Sequence, residues 1–103
     1  MFDILFHPEA QEELYALESS LQAKYLVALE KLEAKGHLLR HPHSAPIGDG
    51  LFELRAGGKD ITRTFFAFAE GKKIYILRTF VKKTRKTPKS EIDLAKKRLE
   101  EMI

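Results

Sequence analysis

The sequence predicts an α+β domain with the element order βααβββα and a sheet of roughly four, mostly antiparallel strands. Three observations carry this. Apolar residues recur at spacings of three and four through residues 8–35, the period of a helix with one buried face. From Leu51 to Val81 the period becomes two, broken by glycine-containing turns, as in strands joined by hairpins. After Pro88 the helical spacing returns.

Phe2, Ile4 and Phe6 alternate with Asp3 and Leu5 and predict a short first strand. Pro8 stands where a first helical residue would, followed by Glu9, Glu12 and Glu13. Acids in a first turn suit the positive end of the helix dipole. Ala10, Leu14, Leu17 and Leu21 form the apolar stripe, and Ser19-Ser20 is expected to break the helix and cap a second one. That second helix carries Leu21, Tyr25, Ala28, Leu29 and Leu32, with Gly36 as its stop. Gly36 to Gly50, with Pro42, Pro46, Gly48 and three histidines, reads as a long loop inside one domain. Leu51–Ala56, Ile61–Ala69 and Lys73–Val81 are the remaining strands, turning at 56–60 and 70–72. The last is apolar on both faces at its middle, which places it centrally in the sheet. Ile92, Ala95, Leu99 and Met102 give the final helix its stripe.

At 103 residues the chain suits a single domain, 1–103. It has no cysteine, which excludes a disulfide scaffold, thiol catalysis and thiolate metal sites. It fits a reducing compartment, so a cytoplasmic location is expected. The start lacks a basic segment ahead of an apolar run, and no apolar stretch approaches the roughly 20 residues that cross a bilayer. No signal peptide and no membrane partner are expected. The net charge of +3 conceals a split. Residues 1–35 hold seven acids and three bases, whereas residues 72–89 hold eight bases and no acid. A run of that kind points to a polyanionic partner.

Arg55 and Arg63 flank the 56–62 turn at nearly equal distances. A hairpin closed around Gly58-Lys59 sets them opposite each other on one face, an arrangement that like charges disfavour. A phosphate between them would reverse the sign, since guanidinium binds it bidentately. Glu53 and Asp60 offer the plainer alternative of neutralising them on a wet face. The stretch Phe80-Val81-Lys82-Lys83-Thr84-Arg85-Lys86-Thr87-Pro88-Lys89 leaves the last strand with bases and threonine hydroxyls interleaved. It is either a phosphate-binding segment or a solvated connector. His37, His41 and His43 share the long loop, but proline stiffens the chain between the last two and no carboxylate sits at helical spacing, so no metal is expected. His7 is read as the end of the first strand, and Tyr15, Tyr25 and Tyr75 as core or interface.

Gly50-Leu51-Phe52-Glu53-Leu54-Arg55, Arg63 before Phe65-Phe66, Phe80-Val81-Lys82-Lys83-Thr84 with Thr87-Pro88, and a helix with Ala95 and Arg98 resemble the RelE/ParE toxin superfamily. The likeness is to its phage-derived HigB-like branch and spans roughly residues 2–100. The resemblance implies the fold given above and the toxin of a type II toxin–antitoxin pair. It implies cleavage of mRNA in the ribosomal A site without metal or cofactor, and a helix-turn-helix, HigA-like antitoxin as partner. By the same resemblance Arg55 and Arg63 hold the scissile phosphate. Lys82 and Lys83 add charge or proton transfer, and Glu53 is a base or the salt-bridge partner of Arg55. Arg78, Thr84, Arg85, Lys86 and Lys89 would contact RNA. RelE itself has a tyrosine in its C-terminal segment where this chain reads Thr87-Pro88-Lys89, some HigB-like members have a histidine near the end of the last strand where this chain has Arg78, and ParE-like members poison gyrase instead. A gyrase inhibitor and a plain RNA-binding module are therefore the alternatives.

Overall fold

A computed structural model describes residues 1–56, 61–83 and 86–103, with Ile61 by its backbone alone. Its elements are β1 (Asp3–Phe6), α1 (Pro8–Tyr15), α2 (Ser19–Lys35), a 3-10 turn (Gly36–Leu38), β2 (Ser44–Gly48), β3 (Leu51–Ala56), β4 (Ile61–Ala69), β5 (Lys73–Lys82) and α3 (Lys89–Met102). The sheet has five strands in the order β1-β5-β4-β3-β2, not four. The additional strand is β2, inside what the sequence presents as a loop. Its Pro46 and Gly48 suit a sheet edge, where a missing N–H and a bulge are tolerated. The register shifts between those two residues. β1 runs parallel to β5 and every other pair is antiparallel. β5 is internal, between β1 and β4, as its two apolar faces require.

Helices cover both faces of the sheet. Ala10 and Leu14 of α1 and Tyr25, Ala28 and Leu32 of α2 pack on Leu54, Phe66, Ile74 and Ile76. On the other face Ala95, Ile92, Leu99 and Met102 of α3 pack on Leu51, Phe65, Ala67 and Leu77. Even and odd strand positions thus serve different helices. A shift between Phe65 and Phe66 in the β4–β5 register leaves Leu77 without a direct partner and carries the alternation past it. Thr64, Thr79 and the Tyr25 hydroxyl are buried together under α2, with the threonine oxygens 3.1 Å apart and Thr79 Oγ1 3.4 Å from Tyr25. Burial there pushes the Tyr25 pKa up, against hydrogen bonds from Thr64 and Thr79.

Three local expectations are corrected. Glu18, not a serine, holds the N-cap of α2, and the Ser20 hydroxyl donates to its carboxylate. Tyr15 is 67 % exposed at the end of α1, because Leu14 takes the buried side of that turn, which overturns the core half of its reading alone. His7 both follows β1 and caps α1: its Nδ1 accepts from the Glu9 N–H, so the proton belongs on Nε2, 2.7 Å from Glu101 of α3.

Gly36 ends α2 at φ 51°, ψ −120°, a region open to glycine but not to L side chains. A Cβ there would overlap the Phe2 ring. That ring packs edge-on to Phe68 and His37, and His37 stacks on Phe68 at 3.7 Å. Gly36→Ala is expected to lower unfolding free energy by about 2 kcal/mol through overpacking and strain. A urea melt within 0.5 kcal/mol of the parent, a roughly surface-like effect, would remove this account of the helix stop.

Candidate functional site

β3 and β4 pair Arg55 directly with Arg63, and Arg63 pairs with Phe80 of β5. The three form a row across the sheet, beyond the part that α3 covers. Glu53, two residues before Arg55, shares that face and is 3 % exposed. Its oxygens lie 3.4 Å from Arg55 Nη2 and 3.3 Å from Arg63 Nε. Both distances exceed the roughly 2.7–2.9 Å of a strong charge-assisted bond. The Arg63 contact is an ion pair by distance but lacks hydrogen-bond geometry. Two guanidiniums thus share one carboxylate. Arg63 Nε and Nη1 and Arg55 Nε are buried without a hydrogen-bond partner among the described residues. Burial lowers the Arg63 pKa, Glu53 opposes this, and Arg55 adds to the lowering. The pair carries an excess of positive charge and of unused donors, with Arg55 the more accessible at 29 % side-chain exposure.

β5 carries the remaining candidates. Lys82 pairs with Ile61, one alternation beyond Phe80 and on the same face, and its ammonium donates to the Thr87 hydroxyl at 3.3 Å. Lys83 is exposed just past the strand end. Thr84, Arg85, Asp60 and the turn at 57–60 lie outside the described residues. Lys86 is exposed, and Lys89 is exposed at the first position of α3. The register therefore gathers Glu53, Arg55, Arg63 and Lys82 on one face, while Lys83, Lys86 and Lys89 follow along the connector. Phe80 was given no site role by the sequence because its alternation passes for core. Its half-buried ring beside Arg63 packs edge-on to Phe65.

Arg78 is differently placed. It donates to Glu91 at 2.9 and 3.0 Å and to Glu13, and lies 5.6 Å from the Phe80 ring centre. Two carboxylates offset its charge, so it joins α1, β5 and α3 rather than adding a free cation to the face. Arg98 of α3 extends the cluster, donating to Glu13 and Glu9 and to the Leu77 carbonyl, each at 2.9 Å. Glu13 also accepts the Thr79 N–H at 3.0 Å. That N–H is available because the β1–β5 pairing ends at Phe6 and Ile76. Burial of Glu13 works against its charge, but Arg98, Thr79 and Arg78 together hold its pKa below the ordinary value. Two of the acids concentrated in residues 1–35, Glu9 and Glu13, thus serve internal arginines. Among the described residues no three His, Asp or Glu are grouped to hold a metal ion.

The family described as Phage derived protein Gp49-like (DUF891) matches residues 12–100 of this chain. No curated protein matches it by sequence. Among solved structures it is similar to a chain of the archaeal RelE–RelB complex from Pyrococcus horikoshii OT3. The TM-score is 0.57 at 18 % identity, covering 78 % of this chain and 93 % of that one. At that identity the likeness speaks for the fold, which is RelE-like.

Proposed function

Because this chain belongs to the phage-derived Gp49-like family, a family of RelE/HigB-like toxins, we propose that it is a ribosome-dependent endoribonuclease. In the proposed reaction the ribose 2′-OH attacks the adjacent phosphorus, the bond to the 5′ oxygen breaks, and a 2′,3′-cyclic phosphate remains. The nucleophile loses a proton, the leaving oxygen gains one, and negative charge grows on the phosphoryl oxygens. Arg55 and Arg63 are assigned to that charge, and Lys82 and Lys83 to further charge or proton transfer at the strand end. Glu53 is assigned as a positioning residue, because a carboxylate 3 % exposed between two guanidiniums orients them better than it reaches a substrate. Phe80 offers a ring on which a base can stack. Thr84, Arg85, Lys86 and Lys89 are assigned to the RNA backbone.

One observation carries this reading: two arginines paired across strands, with one carboxylate between them and part of their donors unused. A scissile phosphate supplies what that arrangement lacks. The proposed setting is the cytoplasm, with mRNA in the ribosomal A site as substrate and a helix-turn-helix, HigA-like antitoxin as partner.

Induced expression with mapping of transcript 5′ ends tests the activity. Growth arrest with new ends inside translated frames is expected within minutes of induction. Arrest with intact transcripts and altered DNA supercoiling would replace the nuclease by a ParE-like gyrase inhibitor. RNA binding without arrest would leave a plain binding module.

A further inference from the structure

We propose that a second phosphate-binding subsite lies between α2 and the β3–β4 hairpin, and that Lys24 and Lys31 hold the RNA strand there as it leaves the scissile position. The inference rests on the nuclease reading and adds to it a surface outside the basic run of residues 72–89.

A pocket of about 450 Å³ opens at this place, lined by Lys24, Val27, Ala28 and Lys31 of α2, by Pro42 and His43, and by Arg55, Ala56 and Arg63 of the hairpin. Among the described residues its wall holds four cations and a histidine but no acid. Lys24 and Lys31 are two helical turns apart, roughly 10 Å along the axis, and share a stripe with Val27 and Ala28 between them. The positions three and four away from each lysine carry Ser20, Leu21, Val27, Ala28, Ala34 and Lys35. No carboxylate can therefore reach either ammonium along the helix, and neither lysine forms an ion pair with a described residue. That contrasts with Arg78, Arg98 and Lys96, which are all matched by acids. The unmatched cations of α2 line the same pocket as Arg55 and Arg63, two guanidiniums that share the single carboxylate of Glu53 and keep donors unused. Arg55 and Arg63 turn their guanidiniums to Glu53 on the α3 side of the sheet, so a strand whose phosphate sits on them reaches this pocket around the end of the sheet at Arg55, Pro42 and His43, which line it. The apolar floor of Val27, Ala28 and Ala56 suits a ribose or base edge between phosphates.

The test uses the full chain and a short, non-cleavable 2′-O-methyl oligoribonucleotide, with affinity followed by fluorescence anisotropy from low to physiological salt. Lys24→Gln/Lys31→Gln is expected to weaken binding roughly tenfold and to reduce the slope of log K against log salt by about 1.4, the effect of two lost phosphate contacts on a single strand. Lys35→Gln/Lys97→Gln removes the same charge from exposed positions outside the pocket. It should change affinity less than about threefold, a general field effect. Equal losses in the two double variants, or none in either, would overturn the subsite. So would a Lys24/Lys31 effect confined to binding of an acidic protein segment. A wild-type protein that cuts RNA while the two double variants bind alike retires this inference and leaves the nuclease reading intact. One that binds RNA through Lys24 and Lys31 yet cuts none does the reverse.

Discussion

Arg63→Ala is expected to slow RNA cleavage by roughly 10²–10³-fold, the range for removing one preorganised donor from a transition-state charge site. The substitution removes one of the two guanidiniums that share Glu53. It also removes the like-charge contact with Arg55 across the strand pair. Glu53 keeps Arg55 as a partner, so its buried charge is not left uncompensated, and the loss in stability should stay below the roughly 3–5 kcal/mol of a fully broken buried pair. Arg63→Lys separates charge from geometry. An ammonium keeps the positive charge but cannot grip a phosphate bidentately, so an intermediate rate is expected. Single-turnover cleavage on translating ribosomes, with circular dichroism on the same preparations, reads both quantities. A Arg63→Ala rate within threefold of the parent would take the phosphate away from this pair.

Glu13→Ala is expected to destabilise the fold by about 3 kcal/mol near neutral pH, because it leaves buried charge uncompensated. Arg98, with a side chain 6 % exposed, would retain only the 65 % exposed Glu9 and a carbonyl. The Thr79 N–H would lose its acceptor on an unpaired length of β5. For a domain of this size that corresponds to a fall in melting temperature of roughly 12–24 °C. The sign of the pH dependence follows from the lowered pKa of Glu13. The carboxylate contributes stability above its ordinary value of 4.5, and the contribution is lost as pH falls through the lower folded value. The melting temperature of the parent should therefore drop on acidification below about pH 4.5, while Glu13→Gln flattens that part of the curve. Parallel curves for the two proteins would show that Glu13 is not the group being titrated.

How much of this lay in the sequence depended on the range of the interaction. Arg55 and Arg63 could be set opposite each other because a hairpin is local and its centre fixes its register. Leu51–Ala56 and Ile61–Ala69 came out with their observed limits for the same reason. β2 did not, since Pro46 and Gly48 mask a strand that exists only by pairing with β3. Arg78 looked like one more cation in a basic run. What reassigns it is Glu13, 65 positions away, and no periodicity links them. The pairing of Arg98 with Glu9 and Glu13 was invisible in the same way. Lys24 and Lys31 were hidden by an acidic first third whose mean charge conceals two ammonium groups without local partners.

The joining of β1 to β5, and of Glu9 and Glu13 to Arg98, has a bearing on biogenesis. Residues 3–13 find their mates at positions 73–98, so long-range closure governs the folding rate. A nascent chain cannot assemble this ion cluster until residue 98 has cleared the exit tunnel. Until then α1 lacks the ion pairs that tie it to α3.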